Sequence, residues 1–255
     1  MKRINIVVLY FACLFSVVAL SCTTKQFPEK KDLVLAVNVT PYSAPVYIAL
    51  AKNFWKEEGL NVTKKGFAAG RFNLEAVLGG KADFGTVAES PMVFAGLTGQ
   101  KALIAATIAT GDNDMKIIAR RDHGISTPAD LKGKKIGTSV STTADFFLYS
   151  FLKRNSMSMS DIKLVNLKPA ELPSAIINGD VDAISAWEPF VYNSEKTLGE
   201  KSVTFAAKGL YDATFNVVIN EDFAQKYPGT VKAILRGLLK AEKFMTTNRK
   251  EAVEI

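Results

Sequence analysis

Residues 76–91 read AVLGGKADFGTVAESP, and residues 175–189 read AIINGDVDAISAWEP. Each is the end of a helical pattern, a glycine, a short apolar strand, and a glutamate with a proline close behind. Gly80, Asp83 and Glu89 correspond to Gly179, Asp182 and Glu188, and each pair lies 99 residues apart. Glycine takes the left-handed conformation that closes a helix C-terminus. Proline in a first helical turn has no amide to leave unpaired. A βα unit that occurs twice predicts two similar halves.

The flanking sequence alternates in the same way. LVLAVNV at 33–39 is a nearly continuous apolar run, as in a strand buried on both faces. Tyr47, Leu50, Ala51 and Phe54 give helical spacing over 44–57, and Gly59 stops it. Strands are expected at 60–67, 82–88, 102–109 and 115–120, with a helix over 71–79 and another opening at Pro91. A second series places strands at 134–140, 162–167, 181–186, 202–206 and 215–220. Its helices are 143–152, capped by Thr142 and Thr143, then 170–178, and one opening at Pro189. Residues 221–255 read as helical with a break at Pro228-Gly229, and the pattern TNRKEAVEI predicts a chain that continues past Ile255. Such alternation defines an α/β protein with largely parallel sheets covered by helices.

Composition excludes several chemistries. Among 255 residues, 48% are apolar and 22% charged, which excludes disorder. The single histidine, His123, excludes a histidine metal cluster, and the two cysteines, Cys13 and Cys22, exclude a disulfide framework. No cofactor and no metal are expected. The net charge is +7, without a block of five like charges, so nucleic acid is not an expected partner.

Two of those charges, Lys2 and Arg3, precede the apolar run INIVVLYFACLFSVVAL at 4–20, which ends at Ser21-Cys22 and a polar segment. That order is a secretory signal. It resembles a bacterial lipoprotein signal, with residues 1–21 removed, Cys22 lipidated, and 22–30 a linker. Ala19 stands where such signals usually carry leucine, with Leu20 one step later.

In open α/β sheets, ligands sit beyond the carboxyl ends of the strands. Glu89 and Glu188 both fall there and line one cleft if the two halves face each other. The alternative is that each merely complements a helix dipole. Two carboxylates in a dehydrated cleft repel, so the pair predicts a ligand with a cationic or donor-rich nitrogen. The helix start at Thr142-Thr143 can hold an anion. Arg71 opens a helix and is either a ligand contact or a solvated arginine. Asp112, Asn113 and Asp114 form a polar turn fit for a binding loop or hinge, or an ordinary Asx turn. They lack the downstream glutamate of a calcium loop. Trp187 adjoins Glu188 and is assigned to the cleft. His123, in RRDHGIS, reads as a surface turn and supports no Ser-His-Asp set. GFAAG at 66–70 lacks the GK[ST] of a phosphate loop.

These segments together resemble the solute-binding proteins of ABC importers, in the nitrate/sulfonate/taurine and thiamine-pyrimidine-precursor group. The resemblance rests on Pro45-Val46-Tyr47-Ile48-Ala49, Glu58-Gly59-Leu60, Leu78-Gly79-Gly80-Lys81-Ala82-Asp83-Phe84-Gly85 and Asp130-Leu131-Lys132-Gly133-Lys134-Lys135-Ile136-Gly137. It continues through Ser141-Thr142-Thr143, Gly179-Asp180-Val181-Asp182-Ala183 and Trp187-Glu188-Pro189. It implies a two-lobed periplasmic-binding-protein fold of type II-like form, with the ligand cleft between the lobes. Lobe I would comprise 31–120 plus 215–255 and lobe II 121–214, with hinges near 119–122 and 213–216. The implied partners are a small-molecule ligand, ABC permease and ATPase subunits, and an extracytoplasmic membrane surface reached through the lipid on Cys22. The ligand set expected is Tyr42, Ser43, Arg71, Glu89, Asn113, Thr142, Thr143, Trp187 and Glu188. The implied function is capture, not catalysis. A sensor domain or a pyrimidine-synthesis-like enzyme are the alternatives on this fold.

Overall fold

The computed structural model describes residues 27–206 and 208–255, so the signal segment and Cys22 lie outside the described residues. In the first half, the strands are β1 (Asp32–Val37), β2 (Asn61–Gly66), β3 (Phe84–Ala88) and β4 (Ala102–Gly111). They alternate with helices α1 (Ala44–Ala51), α2 (Phe54–Glu57), α3 (Gly70–Leu78) and α4 (Glu89–Leu97). The second half holds β5 (Lys116–Arg120), β6 (Lys135–Thr138), β7 (Lys163–Asn166), β8 (Ala183–Ala186) and β9 (Ser202–Ala206). Its helices are α5 (Thr143–Arg154), α6 (Leu172–Asn178) and α7 (Phe190–Leu198). The chain then returns through β10 (Ala213–Asn220) to α8 (Glu221–Lys226), α9 (Pro228–Thr247) and α10 (Arg249–Glu254).

Two five-stranded sheets result, ordered β2-β1-β3-β10-β4 and β7-β6-β8-β5-β9. In each, four strands run in one direction, and the strand by which the chain enters from the other half is inserted antiparallel. β10 enters the first sheet between β3 and β4, and β5 enters the second between β8 and β9.

That topology corrects two boundaries. The sequence reading put residues 116–120 in lobe I, but they pair with β8 and β9 of the second sheet. Residues 213–214, read as lobe II, pair with β4 of the first. The chain therefore crosses at 112–115 and again between Ala206 and Ala213, and positions 119–120 and 213–216 lie inside strands. An apolar run tells that a strand is buried, not which sheet buries it. The expected helix over 44–57 is also divided. Asn53 takes a left-handed conformation, φ 59°, one of the few residue types that does so readily.

The core of the first half gathers around Trp55 and Phe84, whose rings meet edge to face at 5.5 Å. Trp55 is 2% exposed, and its indole Nε1–H donates to the Ile234 carbonyl of α9 at 2.9 Å. This contact needs Gly237, where a Cβ would stand 2.6 Å from Nε1. The second half packs Phe147, Leu148 and Phe151 of α5 onto Ile117 and Ile136.

The repeat folds as a repeat. Gly80 and Gly179 are both left-handed, at φ 67° and 82°. Lys81 N–H donates to Ala76 O at 2.8 Å, and Asp180 N–H to Ala175 O at 2.9 Å. Asp83 Oδ2 accepts from Val34 N–H, and Asp182 Oδ2 from Lys135 N–H, each at 2.8 Å. Both aspartates thus satisfy the edge amide of a neighbouring parallel strand. His123 is not a bare surface turn. Its Nδ1 lies 2.7 Å from Asp182 Oδ1, the place Lys30 Nζ takes beside Asp83.

Candidate functional site

The carboxyl ends of the central strands of both sheets open onto one cleft between the halves. The space within it that admits a water-sized molecule is about 40 Å³, a narrow cleft between the two halves. Its walls come from the segments after β1, β2 and β3, from the start of β10, from the first crossing, and from the segments after β6 and β8.

Two helix N-termini face it, one from each half. Ala69, Gly70 and Arg71 begin α3, and Thr142 and Thr143 begin α5. Neither start carries a side-chain cap. Thr142 Oγ1 donates instead to the Ser139 carbonyl at 2.6 Å, so it does not cap the helix as the sequence reading expected. Uncapped first-turn amides with the positive end of the dipole form a receptor for an anion. Arg71 adds a cation there. Its Nη1 donates to the Val140 carbonyl of the other half at 3.2 Å, while its Nε is buried without a hydrogen-bond partner. The guanidinium also lies over the Phe72 ring at 4.6 Å, which fixes its plane.

The cleft also holds an acid. Asp114, in the first crossing, is 8% exposed and lines the cavity. Burial pushes its carboxyl up to about 7. The Glu188 backbone N–H works against that rise, the Glu188 carboxylate adds to it, and Lys116 opposes it. Tyr42 faces the same cavity, with its ring 5.9 Å from Phe215 at 45°. Burial, then the charges of Asp114, Asp112 and Glu89, raise its phenol to about 12, so it remains a hydrogen-bond donor. Trp187 is 6% exposed and belongs to both settings, packing into the second core while lining the cleft.

Of the sequence-selected residues, the cleft collects Tyr42, Arg71, Thr142, Thr143 and Trp187. It does not collect Ser43, Asn113, Glu89 or Glu188. Ser43 is fully buried and donates to the Asn38 carbonyl at 3.0 Å, pinning the turn that carries Tyr42. Asn113 is exposed, and its neighbour Asp114 turns inward instead. Glu89 accepts from Ser90 Oγ at 2.9 Å, from Thr214 N–H at 2.7 Å and from Thr214 Oγ1 at 3.1 Å. Glu188 accepts from Lys116 Nζ and from the Tyr192 N–H, each at 3.0 Å. Both glutamates are consumed in clamping the strand that enters their sheet. The sequence reading placed Asp114 in a turn fit for a binding loop or hinge, but named Asn113 of that turn as the ligand contact. The available signal was its position, directly before Met115 and the strand Lys116–Arg120.

This two-sheet architecture, with a cleft at the strand ends and two crossings, is the periplasmic-binding-protein fold. The chain belongs to the NMT1/THI5-like family, whose model matches residues 40–252. The structure aligns with the alkanesulfonate-binding protein SsuA of Xanthomonas axonopodis pv. citri bound to MOPS. That match has a TM-score of 0.76 and 24% identity over 89% of this chain and 78% of that one. In sequence, the chain is 28% identical to a putative binding protein of Brucella abortus (strain 2308), covering 82% of this chain. It is 29% identical to the taurine-binding periplasmic protein of Escherichia coli (strain K12), over 84% of this chain and 68% of that protein. The chain spans 65% of the length of the Brucella relative.

Proposed function

We propose that this protein is the extracytoplasmic solute-binding component of an ABC importer, and that it captures a small organic zwitterion. Sulfonate or carboxylate oxygens would meet the amides at the starts of α3 and α5 together with Arg71. A protonated nitrogen would meet Asp114. The observation that carries this reading is one cleft holding both an uncapped pair of helix N-termini and a buried carboxylate. A buried carboxylate beside a bound anion is costly unless the same ligand brings a compensating cation. Family membership and the taurine-binding relative support the same class.

Capture without chemistry is part of the proposal. The one histidine pairs with Asp182 just before β8, whereas Trp187 meets the cleft just after β8, so the histidine stands at the opposite end of the strand. The two lobes would close about the crossings at 112–115 and between β9 and β10, each half bringing one helix start to the ligand. Cys22 would carry the lipid that holds the protein at the membrane beside its permease and ATPase partners. Buried acyl chains contribute about 0.8 kcal/mol per CH₂. Cys22→Ala should therefore lose acyl labelling and membrane retention, and an unlabelled wild type would remove the anchor from this account.

Native mass spectrometry of the purified protein tests the function. Incubation with taurine, ethanesulfonate or nitrate should give a single adduct, strongest for taurine, and the released compound should be unchanged. Conversion of the compound, or no adduct with any of the three, contradicts the proposal.

A further inference from the structure

Gly111 is the last residue of β4, opposite Ala213 of β10 at the edge of the cleft. The Tyr42 ring lies across it. A Cβ at position 111 would collide with the Tyr42 hydroxyl and stand 3.2 Å from Cζ and 3.4 Å from Cε1. The contact is thus at the hydroxyl end of the ring. Tyr42 has little freedom to retreat. Its short 3₁₀ turn, Pro41–Ser43, is held by Ser43 N–H on Thr40 O at 2.9 Å and by Ser43 Oγ on Asn38 O. Phe215 packs beside the ring.

We propose that Gly111 is a positioning residue for the binding site, its missing side chain making room for the Tyr42 ring, which lines the cleft together with Asp114. This inference rests on the binding function proposed above. Even a methyl group at 111 requires the hydroxyl to move by about an ångström to restore ordinary van der Waals contact. With the backbone turn pinned, the movement falls on the side-chain torsions, so the ring leaves its place in the cleft. The strand end would then select ligands through a residue it does not itself bring to them.

The test uses Gly111→Ala, Tyr42→Phe and the double variant, each checked for an unchanged melting profile. Taurine titrations by calorimetry give the first readout. Gly111→Ala should weaken binding by roughly tenfold and Tyr42→Phe by a few fold. The double variant should bind no worse than Tyr42→Phe, because removing the hydroxyl removes the collision. A general packing defect would instead make the two losses add. The second readout needs no ligand. In protein labelled with 3-fluorotyrosine, the fluorine resonance absent from Tyr42→Phe identifies Tyr42, and it should shift in Gly111→Ala while the others hold. Additive losses, or a Tyr42 resonance that does not move, overturn the inference. If wild type fails to bind taurine, the proposed ligand class falls and the fluorine resonance alone decides the role of Gly111.

Discussion

Asp83 in the first half and Asp182 in the second make the same bond, a carboxylate oxygen accepting a strand amide at 2.8 Å. Six residues further on, Glu89 and Glu188 make different ones. Glu89 is satisfied by neutral donors, Ser90 and Thr214. Glu188 is satisfied by a cation, Lys116, and by one amide. Both glutamates face the strand that enters their sheet, so the topology is repeated even where the chemistry is not. One oxygen of each aspartate serves a strand amide, and the other meets a side chain outside the sheet, Lys30 or His123. The glutamates stand at the end where the halves meet, and only the second has another acid, Asp114, beside it. Where a residue completes the backbone, the two halves coincide. Where it borders the cleft, they diverge.

Asp114 is the sharpest asymmetry and should give the largest effect. Its folded-state value near 7 lies above the ordinary aspartate value of 3.8, so the folded protein prefers the protonated form. This stability is fully present below the unfolded value and is lost as pH rises through the folded one. The ligand-free wild type should lose about 4 kcal/mol from this group between about pH 4 and pH 8. Denaturant melts of Asp114→Asn should lack that decline, and an unchanged pH profile would place the carboxyl in water.

Next come the clamps. Glu188→Gln leaves Lys116, whose side chain is 16% exposed, without its countercharge, and should cost about 2–3 kcal/mol. Glu89→Gln keeps an amide oxygen that can accept from Thr214, and should cost about 1 kcal/mol. Equal losses in the two variants would erase the distinction drawn between the halves.

The smallest effect separates the aspartates. Burial opposes ionisation of Asp182, but the hydrogen bonds from the Lys135 amide and the His123 ring outweigh it and hold the carboxyl below its usual range. A depressed value stabilises above the unfolded value and is lost as pH falls through the folded one. Asp182→Asn should therefore be less stable than wild type near neutrality and approach it in acid melts. A constant gap down to about pH 2 would make the carboxylate charge irrelevant there.

Much of this was legible in the sequence. The helix–glycine–strand punctuation, the 99-residue repeat and the helix start at Thr142-Thr143 are local patterns, set by φ preferences and apolar periodicity. What escaped the reading was non-local. Glu89 finds its partner 125 residues away and Glu188 its partner 72 residues away, and no local pattern announces either. The sheet that receives β5 is fixed by pairing with β8 and β9, which come later in the chain. At the first crossing Asn113 is exposed and Asp114 buried, a choice that composition alone does not make. The sequence reading assigned the carboxylates of the cleft to Glu89 and Glu188, whereas the acid that lines it is Asp114.

The most direct measurement is a calorimetric comparison of taurine with ethanesulfonate, which shares the sulfonate and lacks the ammonium group, at about pH 8 and about pH 6. With Asp114 ionised at the higher pH, a charge-assisted hydrogen bond of about 1.5–3 kcal/mol should favour taurine by at least roughly tenfold. That preference should shrink at the lower pH, where the carboxyl is largely protonated. Equal affinities at about pH 8, or tighter binding of ethanesulfonate, would contradict the account.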